Sequence, residues 1–161
     1  MRFALAVALL APLTLAACGE EESVTFEWDV TLTGTIDLCN DPVVGYQQDL
    51  TYRLDFIEGG NFVDLAIGAD NFAGGQISGC DINYETVVWG EDKDGFAIRW
   101  QMEGQATYRQ TGGCGTQLPE GVDWEGTEVF TIVQSDNPEI PPGCTYELDV
   151  VGTYAGPVGG N

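Results

Sequence analysis

The chain contains no histidine, a single lysine and only three serines, and no apolar run long enough to cross a bilayer as a helix. Without histidine there is no Ser-His-Asp or Cys-His nucleophile, no imidazole base and no histidine-ligated zinc. Basic residues are scarce: 5 Lys+Arg stand against 26 Asp+Glu, a formal charge of -21. An excess of that size repels phosphate backbones and excludes nucleic acid as a partner. Yet charged residues are only 19% of the chain and hydrophobic ones 43%, which excludes a disordered acidic tail. At 161 residues, the length suits one domain.

The first stretch reads as an address. Met1-Arg2 carries one positive charge, and residues 3–17 follow without any. Fifteen helical residues span about 22 Å, short of a ~30 Å hydrocarbon core, and Pro12 interrupts them. A positive start, an apolar stretch and small residues at its end form a secretory signal over 1–17. Leu15-Ala16-Ala17-Cys18 at its end resembles the lipobox of bacterial lipoproteins. The resemblance implies cleavage before Cys18, a diacylglyceryl group on its thiol and acylation of the freed amine. Two or three acyl chains anchor a protein stably, whereas one is marginal. Gly19 in place of Asp implies sorting to the outer membrane of the bacterial cell envelope. Residues 18–23 then form a lipidated acidic tether (its five residues after Cys18 reaching at most ~18 Å), and 24–161 the folded domain.

With Cys18 assigned to lipid, Cys39, Cys80, Cys114 and Cys144 form an even set in an oxidising compartment. Two disulfides follow, in one of three connectivities. Proximity along the chain favours Cys39–Cys80 with Cys114–Cys144. Spacings of 41, 34 and 30 contain no CxxC-like pair for a four-thiolate zinc site.

The rest of the sequence alternates. Val24, Phe26, Trp28, Val30, Leu32, Ile36 and Leu38 share one parity against Thr25, Glu27, Asp29, Thr31 and Asp37. Leu50–Phe56, Cys80–Val88, Phe96–Tyr108 and Tyr146–Tyr154 repeat the pattern. This is strand periodicity with one buried and one wet face, and no window supports a long amphipathic helix. Gly34, Gly104 and Gly152 fall on the inward parity, where they let a strand bend. Asn40-Asp41-Pro42, Glu58-Gly59-Gly60 and Asp92-Lys93-Asp94-Gly95 supply turns. The expected fold is all-β: a single antiparallel domain of seven to nine strands, as a meandering barrel or strongly curved sandwich. A membrane-spanning barrel would turn the acids inward, where they would lack counter-charges.

Few residues suggest chemistry. Asp92-Lys93-Asp94-Gly95 resembles part of a calcium loop but puts Gly90 and Gln101 where ligands belong, so it reads as a turn and no metal is expected. Among 26 acids some pair falls at a glycosidase distance by chance. Trp28 and Trp100 share the inward parity, whereas Trp89 and Trp124 lie near turns and are the candidates for an exposed contact. A lipidated barrel with inward aromatics is similar to lipocalin-like carriers, which implies an apolar ligand in its mouth. Here Phe26 stands in place of the glycine of their Gly-x-Trp, and 144–154 holds no Arg to cap Trp28. The reading is therefore a lipid-anchored envelope protein with a non-catalytic β domain, no cofactor, and an envelope protein or ligand as partner. The alternatives are an apolar-ligand carrier and, more remotely, a carboxylate-pair glycoside hydrolase.

Overall fold

Apolar and polar residues separate onto two faces of eight strands: β1 (Ser23–Asp37), β2 (Gln47–Ile57), β3 (Phe62–Ile67), β4 (Asn71–Ser78), β5 (Asp81–Glu91), β6 (Ala97–Tyr108), β7 (Trp124–Ser135) and β8 (Thr145–Pro157). The computed structural model describes residues 23–39, 43–57, 62–67, 71–92, 94–108, 114 and 121–158. The signal stretch, Cys18 and the tether through Glu22 lie outside them, as does Lys93. Each strand pairs antiparallel with the next, and β8 returns to pair with β1. The fold is a closed eight-stranded meander, a barrel rather than a sandwich.

An eight-stranded barrel has an interior just wide enough to be filled by side chains. Here Trp28 and Tyr52 are 0% exposed, and Phe56 and Tyr108 are 1% exposed, which leaves no gap for water against those rings. Trp28 packs edge-on to Tyr154 at 5.5 Å, and its indole N–H donates to the Val122 carbonyl at 2.9 Å. Full burial of one such ring stabilises the barrel by roughly 2–3 kcal/mol. A second cluster, of Ile98, Ile132, Ile140 and Cys39, plugs the end where β1 finishes and β8 begins. There Phe130 and Tyr146 stack at 4.9 Å.

The inward glycines do more than bend strands. A Cβ on Gly104 would lie 2.1 Å from the Tyr84 ring, and one on Gly152 would lie 2.5 Å from the Trp124 indole. Each glycine is the slot for an aromatic ring on a neighbouring strand. Gly34 does mark an irregularity, because the β1–β8 register shifts between Gly34 and Ile36. That bulge reverses parity, so Ile36 and Leu38 point outward, 45% and 70% exposed, although simple alternation put them inside.

The outer face is polar, with acids set opposite hydroxyls or a guanidinium. Arg53 pairs with Glu27 at 2.8 Å, Thr31 donates to Asp49 at 2.8 Å, Thr107 donates to Asp81 at 2.6 Å, and Thr25 donates to Asp55. An apolar inside with a charged outside is the reverse of a transmembrane barrel's arrangement. No helix among the described residues is long and apolar enough to cross a membrane.

Disulfides join Cys39 to Cys144 and Cys80 to Cys114, with Cα separations of 5.1 and 4.9 Å. The pairing expected from chain proximity, Cys39–Cys80 with Cys114–Cys144, is incorrect. Strands of a meander alternate in direction, so the end of β1 and the start of β8 share one end of the barrel. The β4–β5 turn and the segment after β6 share the other. Cys39 and Cys80 sit a barrel's length apart, whereas closure brings Cys39 beside Cys144, and Leu38 N–H donates to the Thr145 carbonyl at 2.9 Å. By chain entropy, a bridge spanning 105 residues is worth about 4.8 kcal/mol and one spanning 34 about 3.8 kcal/mol.

Candidate functional site

The two tryptophans expected at the surface part company. Trp89, near the end of β5, is 63% exposed. Its register partner on β6 is Arg99, whose guanidinium carbon lies 4.8 Å from the centre of the indole ring. A guanidinium over an aromatic face is favourable through the ring quadrupole, more so where partly dried. Phe72 and Val87, outward on the adjacent β4 and β5, extend this apolar surface. Trp124 is a correction. It is 3% exposed and packs with Tyr52 at 6.0 Å between ring centres. Trp124 opens β7 on the parity of Glu128 and Ile132, and the open space at Gly152 admits its ring, so nearness to a turn is a poor guide to exposure there.

Among the described residues, Glu128 is the buried acid, the other buried polar side chain being Asn137. Glu128 is 1% exposed, and one of its carboxylate oxygens accepts from the Tyr52 hydroxyl at 2.7 Å and the Tyr84 hydroxyl at 2.8 Å. Strands β2, β5 and β7 are thereby tied across the barrel by a single group. Burial pushes the Glu128 carboxyl above the usual carboxylate range, and the two phenol donors oppose that rise. The same burial, and then the neighbouring carboxylate charge, pushes both phenols well above the ordinary tyrosine range. The group is enclosed, with both phenol donors converging on one of its oxygens.

Asp92, Asp94 and Gly95 take part in the turn that the sequence suggests, with the Gly95 N–H donating to the Asp92 carbonyl at 3.0 Å. The Asp92 carboxylate accepts from the Asp94 and Phe96 amides at 2.9 Å and from the Asn137 side chain at 2.6 Å, and Gly95 has φ 82°. The Asn137 amide, followed by those backbone donors, holds Asp92 below the usual carboxylate range. The segment thus pins the β5–β6 turn to the 135–143 loop. No group of three or more histidine, cysteine, aspartate or glutamate side chains suited to a metal occurs among the described residues.

Sequence reasoning missed Glu128. The available signal was its inward parity with Trp124 and Ile132, in a strand whose alternation is blurred by Phe130 and Val129. No family model matches this chain, and no curated protein matches it.

Proposed function

We propose that this chain is a lipid-anchored lipoprotein of the bacterial cell envelope, at the outer membrane, whose barrel is non-catalytic and works through contacts on its outer surface. The observation that carries this reading is the occupied interior. Trp28, Tyr52, Phe56 and Tyr108 fill the volume that a carrier would leave for its ligand, so a partner is met outside. The lipobox at Leu15-Ala16-Ala17-Cys18 supplies the anchor, with β1 beginning at Ser23, a few residues beyond it. A tether that short keeps the start of β1 near the headgroups and directs the opposite rim, with Trp89 and Arg99, away from them.

Cys18→Ser tests the anchor. In a bacterial host fed labelled palmitate, the wild-type chain takes up label and partitions into the detergent phase. The variant takes up none and stays unprocessed or moves to the aqueous phase. Equal labelling of both proteins refutes lipidation at Cys18.

A further inference from the structure

On the outer face, β3 to β6 enclose an open groove of about 860 Å³ extending to β7, and its sides and floor differ from the rest of the barrel surface. Its floor is low because Gly74 has no side chain: a Cβ built there meets nothing within 4 Å. Asp64 is the register partner of Gly74 on one side, Glu85 is its partner on the other, and Glu85 is in turn paired with Glu103. Asp55 continues the same row beyond Asp64. Four carboxylates thus lie in one line across five strands, interrupted only by the glycine, with Asp64 and Glu85 about 10 Å apart at two strand spacings.

Asp55 accepts from Thr25 and Glu103 from the Gln101 amide at 3.1 Å, and what sets the row apart from the other outward acids is the residue opposite. Glu27 faces Arg53, and Asp29, Asp49, Asp81 and Asp149 face threonines. Among the register pairs of the described residues, only Asp55–Asp64 and Glu85–Glu103 set acid against acid, and both lie in this row. Like charges directly opposite destabilise a sheet. Among the described residues no basic side chain lines the groove, while Asn83 and Gln105 add amides able to pair with a peptide backbone.

We propose that this groove docks an extended, lysine- or arginine-bearing segment of a partner protein, its cations seated between Asp64, Glu85 and Glu103 and its backbone against the amides. Charge complementarity selects this occupant. A second copy of the chain would bring its own charge of -21 to an acidic surface, and an anionic lipid surface would be repelled in the same way. The inference deepens the outer-surface reading above and rests on it only in taking the barrel's outside as the working face. Anchoring at Cys18 plays no part in it, so a failed titration leaves the lipidation test unaffected.

The test uses the full chain in a zwitterionic detergent and a fluorescent octapeptide of alternating lysine and serine, titrated by anisotropy. Glu85→Gln with Glu103→Gln weakens binding about tenfold, and the charge-matched pair Asp29→Asn with Asp149→Asn changes it less than about twofold. Gly74→Val raises the floor without altering any charge, and it also weakens binding about tenfold. Relieving the acid–acid opposition raises the melting midpoint of the Glu85→Gln, Glu103→Gln variant by about 1–3 °C. The proposal is overturned by absence of peptide binding, by equal weakening in the control pair, by an unaffected Gly74→Val or by a lowered midpoint. Displacement of the peptide by spermine at equal or lower concentration would overturn it in favour of a small polyamine.

Discussion

Glu128→Gln probes the centre of the barrel directly, because the side chain keeps its shape and an oxygen acceptor while losing its charge. Tyr52 and Tyr84 converge on one Glu128 oxygen at 2.7 and 2.8 Å, in a site cut off from water. Burial raises the carboxyl's titration, and the two phenol donors offset that rise only in part. The folded protein therefore keeps this proton to a higher pH than the unfolded chain does. Stability from that proton is fully present below the unfolded titration and is lost as pH rises through the folded one. Each pH unit separating the two titrations costs the wild type ~1.36 kcal/mol relative to a neutral isostere. Repulsion among the surface acids also grows over this range, but it is common to both proteins and cancels in their difference.

The assay is urea unfolding followed by tryptophan fluorescence at intervals from pH 4 to pH 8. The stability difference between Glu128→Gln and wild type is flat at the acidic end. It moves in favour of the variant above about pH 4.3, then levels off once the folded carboxyl has ionised. Glu128→Leu separates charge from hydrogen bonding. It leaves two buried hydroxyls unpaired, at a cost of about 1–3 kcal/mol each, and stays less stable than Glu128→Gln throughout. A difference curve that is flat, or that moves in favour of wild type with rising pH, refutes the reasoning. A flat curve would mean that the phenols just balance burial, and movement toward wild type that they outweigh it and lower the folded titration.

Gly104→Ala is expected to destabilise the barrel by about 2–4 kcal/mol in the same assay, since its Cβ would displace the Tyr84 ring and its bond to Glu128. Gly74→Ala, in open space, is neutral or stabilising by up to ~1 kcal/mol; equal losses at the two positions would refute the slot argument. Non-reducing peptide mapping should recover Cys39 linked to Cys144 and Cys80 linked to Cys114, and Cys144→Ala should lose about 4–5 kcal/mol. A Cys39–Cys80 peptide would contradict the closure of β8 onto β1.

What could be read before folding was whatever depends on a residue's own strand. The two-residue period at Phe26-Trp28-Val30-Leu32 and at Leu50-Tyr52-Leu54-Phe56 identifies the buried face, because side chains alternate across a sheet whatever lies next to it. It cannot survive an inserted residue, which is why Ile36 and Leu38 come out on the wrong side after the bulge at Gly34. The disulfides were misread for another reason. Pairing depends on which end of the barrel each cysteine occupies, and that follows only from counting strand reversals between them. Six complete strands, β2 to β7, separate Cys39 from Cys144 along the chain, an even number that returns them to the same end, and closure then makes β1 and β8 neighbours.

Charge was the least legible property, although the composition announced it. Parity places Asp55, Asp64, Glu85 and Glu103 outside, and on that ground alone they form part of a solvated coat. Register divides the coat. Glu27 and Asp49 acquire partners across the strand, whereas Glu85 and Glu103 face each other and Asp64 faces Asp55. An isolated strand carries no information about the strand that will lie opposite, so no reading of one segment could separate partnered acids from opposed ones. The -21 charge therefore has two components. One is hydrogen-bonded by threonine hydroxyls or ion-paired with Arg53, and keeps the outside wet. The other sets acid against acid beside an open glycine floor, where like charges directly opposite cost the sheet stability.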